Sequence, residues 1–173
     1  MPLIACPCVV CNSSDPKDKR LRSSVLIEHK GSTFVIDTGP DFRQQMLREN
    51  VKDVDAVLFT HEHNDHIVGL DDVRAYNFIN KKAMAIYAST RVQETIHRLF
   101  PYIFSDTKYP GIPKIELHPI FDEPFKIRES TFIPINVMHY KMSVKAFRIE
   151  NITYITDANF IAEEEKEKIR GSE

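Results

Sequence analysis

His61, His63, Asp65 and His66 concentrate metal-binding chemistry in one short stretch of chain. They read His-x-His-x-Asp-His and closely follow the mostly apolar run 54–59. Neutral imidazole nitrogen and carboxylate oxygen are ligands that suit zinc, iron or manganese. The alternative, a solvated histidine-rich loop, leaves this spacing unexplained. The motif therefore predicts a metal site.

The spacing within the motif predicts two neighbouring ions. His61 and His63 point the same way in extended chain, because side chains alternate along a strand. Asp65 and His66 then turn away and can face a second ion. Two metals about 3.5–4 Å apart form a hydrolytic unit, in which a bridging hydroxide attacks and both ions stabilise charge in the transition state.

Three further candidates follow the ends of predicted strands. His139 ends the run 132–139, Asp157 follows the run 152–156, and Asp37 follows the run 33–36. Sheets carry sites at strand ends, because the loops there vary while the strands fix their positions. Taken alone, each residue has a structural alternative: a half-buried histidine at 139, and turn residues at 157 and 37.

The cysteines Cys6, Cys8 and Cys11 are the three thiols of the chain, and they lie within six positions. An odd, clustered set argues against a disulfide framework and for a structural zinc knuckle in a reducing cytoplasm. A surface cluster of free thiols is the alternative, since three ligands are visible rather than four.

The sequence around these motifs resembles one protein family. Residues 6–11, 22–24, 36–41 and 69–74, together with the histidine motif, are similar to the metallo-β-lactamase superfamily. Within it they look like the phosphodiesterase branch, which includes the cyclic-phosphate phosphodiesterase of the carbon–phosphorus lyase pathway. That branch is related to the tRNA 3′-processing nucleases. The resemblance implies an αββα sandwich of mixed α/β (α+β) class.

The resemblance also implies roles for the candidates. His61, His63 and His139 would hold a first metal, Asp65 and His66 a second, and Asp157 would bridge both. Asp65 and Asp37 are assigned to the catalytic machinery, with Asp37 orienting a histidine or the loop backbone rather than binding metal. Zinc is the expected ion at both positions, with manganese or iron as alternatives, and one structural zinc is expected at the cysteines.

Charge favours a phosphate substrate. Two divalent ions bring four positive charges, and Asp65, Asp157 and a bridging hydroxide remove three, so the site suits a phosphodiester anion. Arg74 could bind that phosphate; a solvated helix arginine is the alternative. The resemblance therefore predicts a metal-dependent hydrolase that acts on a small phosphodiester, cyclic ones included. The non-enzymatic alternative is a metal-binding protein with an incomplete site. Thioester or lactam hydrolysis and iron-dependent oxidation remain open on the same fold.

Length and composition exclude several other classes. The chain has 173 residues, of which 42% are hydrophobic, and a formal net charge of −2. That length predicts a single domain over 1–173, with residues 1–20 as a cysteine-rich loop. No apolar run approaches the roughly 20 residues of a membrane span. The slightly acidic charge argues against nucleic acid as a partner.

Hydrophobic patterning predicts the following elements. Strands are expected at 25–29, 33–36, 54–59, 83–88, 115–120, 125–127, 132–139, 145–149 and 152–156. Helices are expected at 40–49, 72–79, 90–100 and 162–170, with Thr90 and Gln93 forming a capping box. Residues 101–113 are expected to form a loop or lid.

Two metal ligands that the resembled family has are not found in this sequence. No histidine follows His139, so the last ligand of the second metal and a fourth ligand for the cysteines are not found. We therefore expect an αββα sandwich that is incomplete at both ends and lacks its C-terminal part. Exposed sheet edges in such a fold favour a homo-oligomer or a swapped assembly.

Overall fold

Two β-sheets pack face to face in the computed structural model, which describes residues 1–106 and 109–173. The strands are β1 (Val25–His29), β2 (Ser32–Ile36), β3 (Ala56–Leu58), β4 (Met84–Ala88), β5 (Ile115–Pro119), β6 (Phe125–Ile127), β7 (Ser130–His139), β8 (Met142–Ile149), β9 (Ile152–Tyr154) and β10 (Phe160–Ile161). The helices are α1 (Phe42–Arg48), α2 (Asn64–Ile67), α3 (Arg74–Asn80), α4 (Thr90–Leu99), α5 (Pro101–Phe104) and α6 (Glu163–Ile169).

The first sheet has the strand order β1-β2-β3-β4-β5. The β1–β2 hairpin is antiparallel, and the remaining pairs are parallel. β3 lies at the centre of this sheet and is buried throughout. Its carboxyl end therefore offers a fixed position from which a loop can present ligands.

The second sheet has the order β10-β7-β8-β9, with β6 also paired to β7, and all of its pairs are antiparallel. Alternation along the strands divides the core into layers. Phe34 and Ile36 of β2 pack with Phe132 and Phe147 of the second sheet, between the two sheets. Val35 faces the opposite side and packs with residues from the helices α1 to α5.

The outer face of the second sheet is covered by the last helix. Ile135 and Val137 of β7 pack with Val144 and Ala146 of β8, and Ile169 of α6 packs against this cluster. The order of layers is therefore helices, sheet, sheet, helix, which confirms the αββα sandwich and the mixed α/β class expected from the sequence. Within the described ranges, no helix is both long and apolar enough to cross a membrane.

Three local expectations need correction, and a fourth falls on residues that the structure does not describe. The helix expected over 72–79 begins with a 3₁₀ turn, Val68–Val73, before α3. The cap of α4 is Ser89, whose hydroxyl accepts from the Val92 N–H, rather than Thr90. Residues 101–104 of the expected loop form α5, which Pro101 can begin because its missing N–H is not needed there. Residues 107–108 of the same loop lie outside the described residues.

Candidate metal centre

The histidine motif, residues 61–66, which we call the metal loop, begins in the loop after β3 and continues into α2. Thr60 and His61 are buried directly after the strand, and α2 begins at Asn64 with the extended His63 before it. His66 lies on α2, and the helix turns its ring back towards His61, so that the two ring centroids are 4.1 Å apart. The strand and the short helix together fold the motif onto itself.

Two groups of ligand atoms meet at this loop, and they share one carboxylate. His61, His66 and Asp157 form the first group, and His63, His139 and Asp157 form the second, each with ligand atoms within 4.8 Å of one another. The Asp157 Oδ2 atom lies 3.6 Å from His61 Nε2 and 3.4 Å from His66 Nε2. His139 and Asp157 therefore come to the loop from the second sheet, as the strand-end pattern predicted.

The geometry places His61 between the two groups. Its ring is packed against His66, yet its Nε2 atom also lies 3.1 Å from His63 Nδ1, so the first metal site that the resemblance implied, with His61, His63 and His139, stays a prediction. Asp65 belongs to neither group in the described part of the chain. Its Oδ2 atom lies 3.7 Å from His66 Nε2 on a side chain that is 51% exposed, so Asp65 stands beside the centre. Its metal and catalytic roles stay predictions.

Asp37 is fully buried behind these ligands. Its Oδ2 atom lies 2.7 Å from His66 Nδ1 and accepts a hydrogen bond of 2.7 Å from the Thr60 hydroxyl, while Oδ1 accepts from the Thr60 N–H at 2.8 Å. These contacts place Asp37 where it can orient a histidine and the loop backbone. Thr60 was missed at the level of sequence; its position directly before His61 is the signal that could have found it.

Burial and charge tune the ionisable groups of the centre. Burial, with the neighbouring rings of His66 and His63, lowers the pKa of His61 to about 4. His61 is therefore neutral near pH 7, the form in which imidazole binds metal. Burial opposes ionisation of Asp157, but the Thr156 hydroxyl and the nearby imidazoles outweigh it and lower the pKa of Asp157. Burial likewise disfavours a charged His66, yet its bond with Asp37 raises the pKa of His66.

The backbone around the centre is tightly constrained. Asp37 and Asp157, which follow strands of different sheets, both adopt left-handed conformations with φ of 64° and 54°. Aspartate tolerates this region better than most residues, and such conformations cluster at functional sites. Gly39 packs so closely on the metal loop that a Cβ atom there would run into the Asp65 carbonyl. Glycine is therefore required at position 39.

The cysteines form a third group. The sulfur atoms of Cys6, Cys8 and Cys11 lie within 4.8 Å of one another, and none of the three is in a disulfide. The Cys11 N–H donates to the Cys8 sulfur at 3.4 Å, and this bond is the main reason why the pKa of Cys8 is lowered to about 7. Thiolate is the form that binds metal, so this arrangement fits one soft ion such as zinc.

Arg74 has a different setting. Its guanidinium lies 3.0 Å from Asp71, which also accepts a 2.5 Å hydrogen bond from the Tyr102 hydroxyl. Arg74 lines a cavity of about 790 Å³ between α3 and the segment 109–116, and the candidate ligands are not among its described lining residues. A role for Arg74 in binding phosphate stays a prediction.

The sandwich and its two histidine–aspartate groups define a metal-binding α/β protein. A family model described as "Beta-lactamase superfamily domain" matches residues 32–173. The chain therefore belongs to the β-lactamase superfamily, in its metal-dependent branch.

Three individual proteins are similar to this chain in sequence or in structure. The crystal structure of a diphosphatase of the PhnP family superposes with a TM-score of 0.89 at 38% identity, over 99% of this chain and 66% of that one. An octanoyltransferase of Porphyromonas gingivalis is 38% identical over 172 residues, which are 98% of this chain and 35% of that protein. A ribonuclease Z of Methanopyrus kandleri is 30% identical over 83 residues, or 46% of this chain and 30% of that protein.

The lengths of these relatives limit what carries over. The chain spans about a third of the octanoyltransferase and just under two thirds of the diphosphatase chain. The diphosphatase and the ribonuclease are named as hydrolases, which agrees with the metal-dependent hydrolase class expected from the motif. The superposition confirms the resemblance to the PhnP type.

Proposed function

We propose that the protein hydrolyses small phosphodiesters, cyclic ones among them, with two divalent cations bound at the histidine–aspartate groups. One observation carries the proposal: Asp157 lies in both groups, so one carboxylate can join two neighbouring ions. A pair of neighbouring cations held there would supply activated water and would stabilise negative charge on the reacting phosphate.

The residues of the chain fit this use. His61 is neutral near pH 7, and Asp157 is ionised, as metal ligands must be. Asp37 holds the His66 ring through Nδ1, which leaves Nε2 directed at Asp157. Nitrogen and carboxylate ligands favour zinc, with manganese or iron as alternatives. The carboxylates Asp65 and Asp157 offset part of the cationic charge, and the surplus would attract a phosphodiester anion.

The test is hydrolysis of bis-p-nitrophenyl phosphate by protein supplied with Zn²⁺ or Mn²⁺. His63→Ala removes a ligand of the second group, and we expect it to lower kcat/KM by about tenfold to a hundredfold. His97→Ala is the matched control, because His97 is exposed on α4 and stacks on Phe104 instead. Equal rates for wild type and His63→Ala would refute the proposal.

A second candidate is cleavage of a diphosphate bond. The PhnP-family diphosphatase favours it, since that protein matches 99% of this chain at 38% identity. ADP and bis-p-nitrophenyl phosphate, assayed on one metal-loaded preparation, separate the two activities. Turnover of ADP alone would favour the diphosphate reaction.

The same panel of substrates also tests two other interpretations of the site, acyl chemistry and metal binding without catalysis. An octanoyl thioester added to it tests acyl chemistry, which the octanoyltransferase relative brings into consideration. Bound metal with no turnover of any substrate would favour the metal-binding protein. We also propose that the chain works in a reducing cytoplasm, since its three cysteines are free thiols. We further propose that it associates with copies of itself, because uncovered sheet edges favour pairing between chains. Size-exclusion chromatography tests the association, and a stable monomer would contradict it.

A further inference from the structure

Thr60 uses every polar atom it has at the junction of three segments. Its N–H and hydroxyl both donate to Asp37, at 2.8 and 2.7 Å. Its carbonyl accepts from the Lys145 N–H of β8 at 2.9 Å, and its hydroxyl oxygen lies 2.9 Å from His61 Nδ1. The side chain is buried, so these partners are not exchanged with water. Thr60 is therefore fixed between the end of β2, the metal loop and β8.

A count of protons assigns the direction of each bond. A hydroxyl has one proton. When Asp37 is ionised, the form that its bonds with His66 and Thr60 favour against the effect of burial, its carboxylate can only accept, so the Thr60 proton is given to Asp37. The contact between the Thr60 hydroxyl oxygen and His61 must then be filled by a proton on His61 Nδ1. The opposite arrangement would leave the Thr60 oxygen and the Asp37 carboxylate as two acceptors facing each other at 2.7 Å.

The same carboxylate orders the second ring. His66 Nδ1 lies 2.7 Å from Asp37 Oδ2 and donates to it. With the Nδ1 protons of both rings directed towards Asp37, directly or through Thr60, the neutral form of each ring keeps its lone pair on Nε2. In the metal-free protein the His61 Nε2 atom then accepts from His63 Nδ1, which lies 3.1 Å away. Those Nε2 atoms lie 3.6 and 3.4 Å from Asp157 Oδ2, on the side where the ligand group forms.

We propose that Thr60 is a positioning residue that selects the Nδ1–H tautomer of His61 and so presents Nε2 to a divalent cation. The proposal rests on the metal centre of the proposed function. It describes His61 in the metal-free protein, before a cation binds. Asp37 acts on His66 directly and on His61 through the Thr60 hydroxyl. One buried carboxylate thus sets the ligand atom of two histidines.

Long-range ¹H–¹⁵N NMR spectra of the metal-free protein at pH 7 test the tautomer directly. We expect wild type to show His61 protonated at Nδ1 and unprotonated at Nε2. Thr60→Ser keeps the hydroxyl and should keep this pattern, whereas Thr60→Val keeps the shape without the hydroxyl and should lose it. Thr95→Val, which changes a buried threonine of α4, is the matched control and should leave the His61 signals unchanged.

Calorimetric titration with Zn²⁺ gives the second readout. We expect Thr60→Val to weaken binding about tenfold to a hundredfold, and Thr60→Ser to restore affinity to within a few-fold of wild type. A Thr60→Val protein with the wild-type tautomer and affinity would overturn the proposal. If Thr60→Val does not fold, the wild-type spectrum decides alone, since a proton on His61 Nε2 also overturns it.

Neither readout depends on turnover. A protein that shows the expected tautomer and zinc affinity but hydrolyses no phosphodiester would contradict the proposed function and leave the role of Thr60 standing. Active protein with His61 protonated at Nε2 would do the reverse.

Discussion

His66 Nδ1 lies 2.7 Å from Asp37 Oδ2, although 29 positions separate the two residues along the chain. Both side chains are buried, and the bond ties the end of β2 to α2. The Thr38 N–H donates to the His66 carbonyl at 2.8 Å, so backbone and side chain hold the same two segments together. The metal loop is therefore positioned by the neighbouring strand as well as by its own.

Replacing Asp37 by Asn should weaken the binding of zinc. An amide keeps the size of the side chain but carries no negative charge, so it holds the Nδ1 protons less firmly. We expect zinc affinity, measured by calorimetry, to fall about tenfold to a hundredfold. Asp72→Asn changes an aspartate on the 3₁₀ turn that follows α2 and should bind zinc as wild type does. Equal affinities for the two variants would contradict this role of Asp37.

The first turn of α4 allows a clean comparison of two adjacent residues. Ser89 caps the helix, whereas Thr90 lies inside it. Ser89→Ala should lower the free energy of unfolding by about 1 kcal/mol, the usual value of a lost cap, and Thr90→Ala should change it by much less. Urea unfolding followed by circular dichroism measures both. A larger loss for Thr90→Ala would restore the capping box that the sequence pattern indicated.

Elements with strong local signals were predicted well from the sequence. A Lys30-Gly31 turn, in which both residues have positive φ, connects β1 to β2, and strand alternation located β7. The strand predicted at 145–149 is present as β8 but begins earlier, at Met142. The cap of α4 was misplaced by one residue because serine and threonine are both good caps and only the backbone conformation separates them. The two-residue strand β10 was missed because it exists through pairing with β7, which no local pattern reveals.

The site was predictable in membership more than in arrangement. Motif spacing and strand ends identified His61, His63, His66, His139 and Asp157, which the structure brings together. The grouping of His61 with His66 depends on how α2 turns, which is a property of tertiary packing. The part played by Thr60 likewise depends on Asp37 and Lys145, which are distant in sequence and meet only in the fold.

The core between the sheets should depend strongly on Phe132. This ring is fully buried and packs edge-on against Phe34, with centroids 5.1 Å apart, and stacks on Phe125. Phe132→Ala should lower the free energy of unfolding by about 3–5 kcal/mol, since it leaves a cavity between the sheets. Phe121, which is 62% exposed, provides the control. Similar losses for the two alanine variants, measured by urea unfolding, would contradict the packing described.

The thiol of Cys8 should react at an unusually low pH in metal-free protein. The Cys11 N–H donates to its sulfur and stabilises the thiolate, so the pKa of Cys8 is lowered from 9.0 to about 7. Because the thiolate is the nucleophile, alkylation by iodoacetamide should be half-maximal near pH 7, rise above it and fall below it. Mass spectrometry of the modified peptide as a function of pH measures this.

Cys11 serves as the internal control for this experiment. The Leu3 N–H favours its thiolate, but sharing hydrogen bonds with Cys8 and Cys6 outweighs that effect and raises the pKa of Cys11. Alkylation of Cys11 should therefore need a higher pH than alkylation of Cys8.

Zinc should protect both sulfurs if the three cysteines hold one ion, because a metal-bound thiolate is a poorer nucleophile. Identical pH profiles for the two thiols would show that the Cys11 N–H does not select Cys8, and unchanged rates with zinc would remove the third metal position.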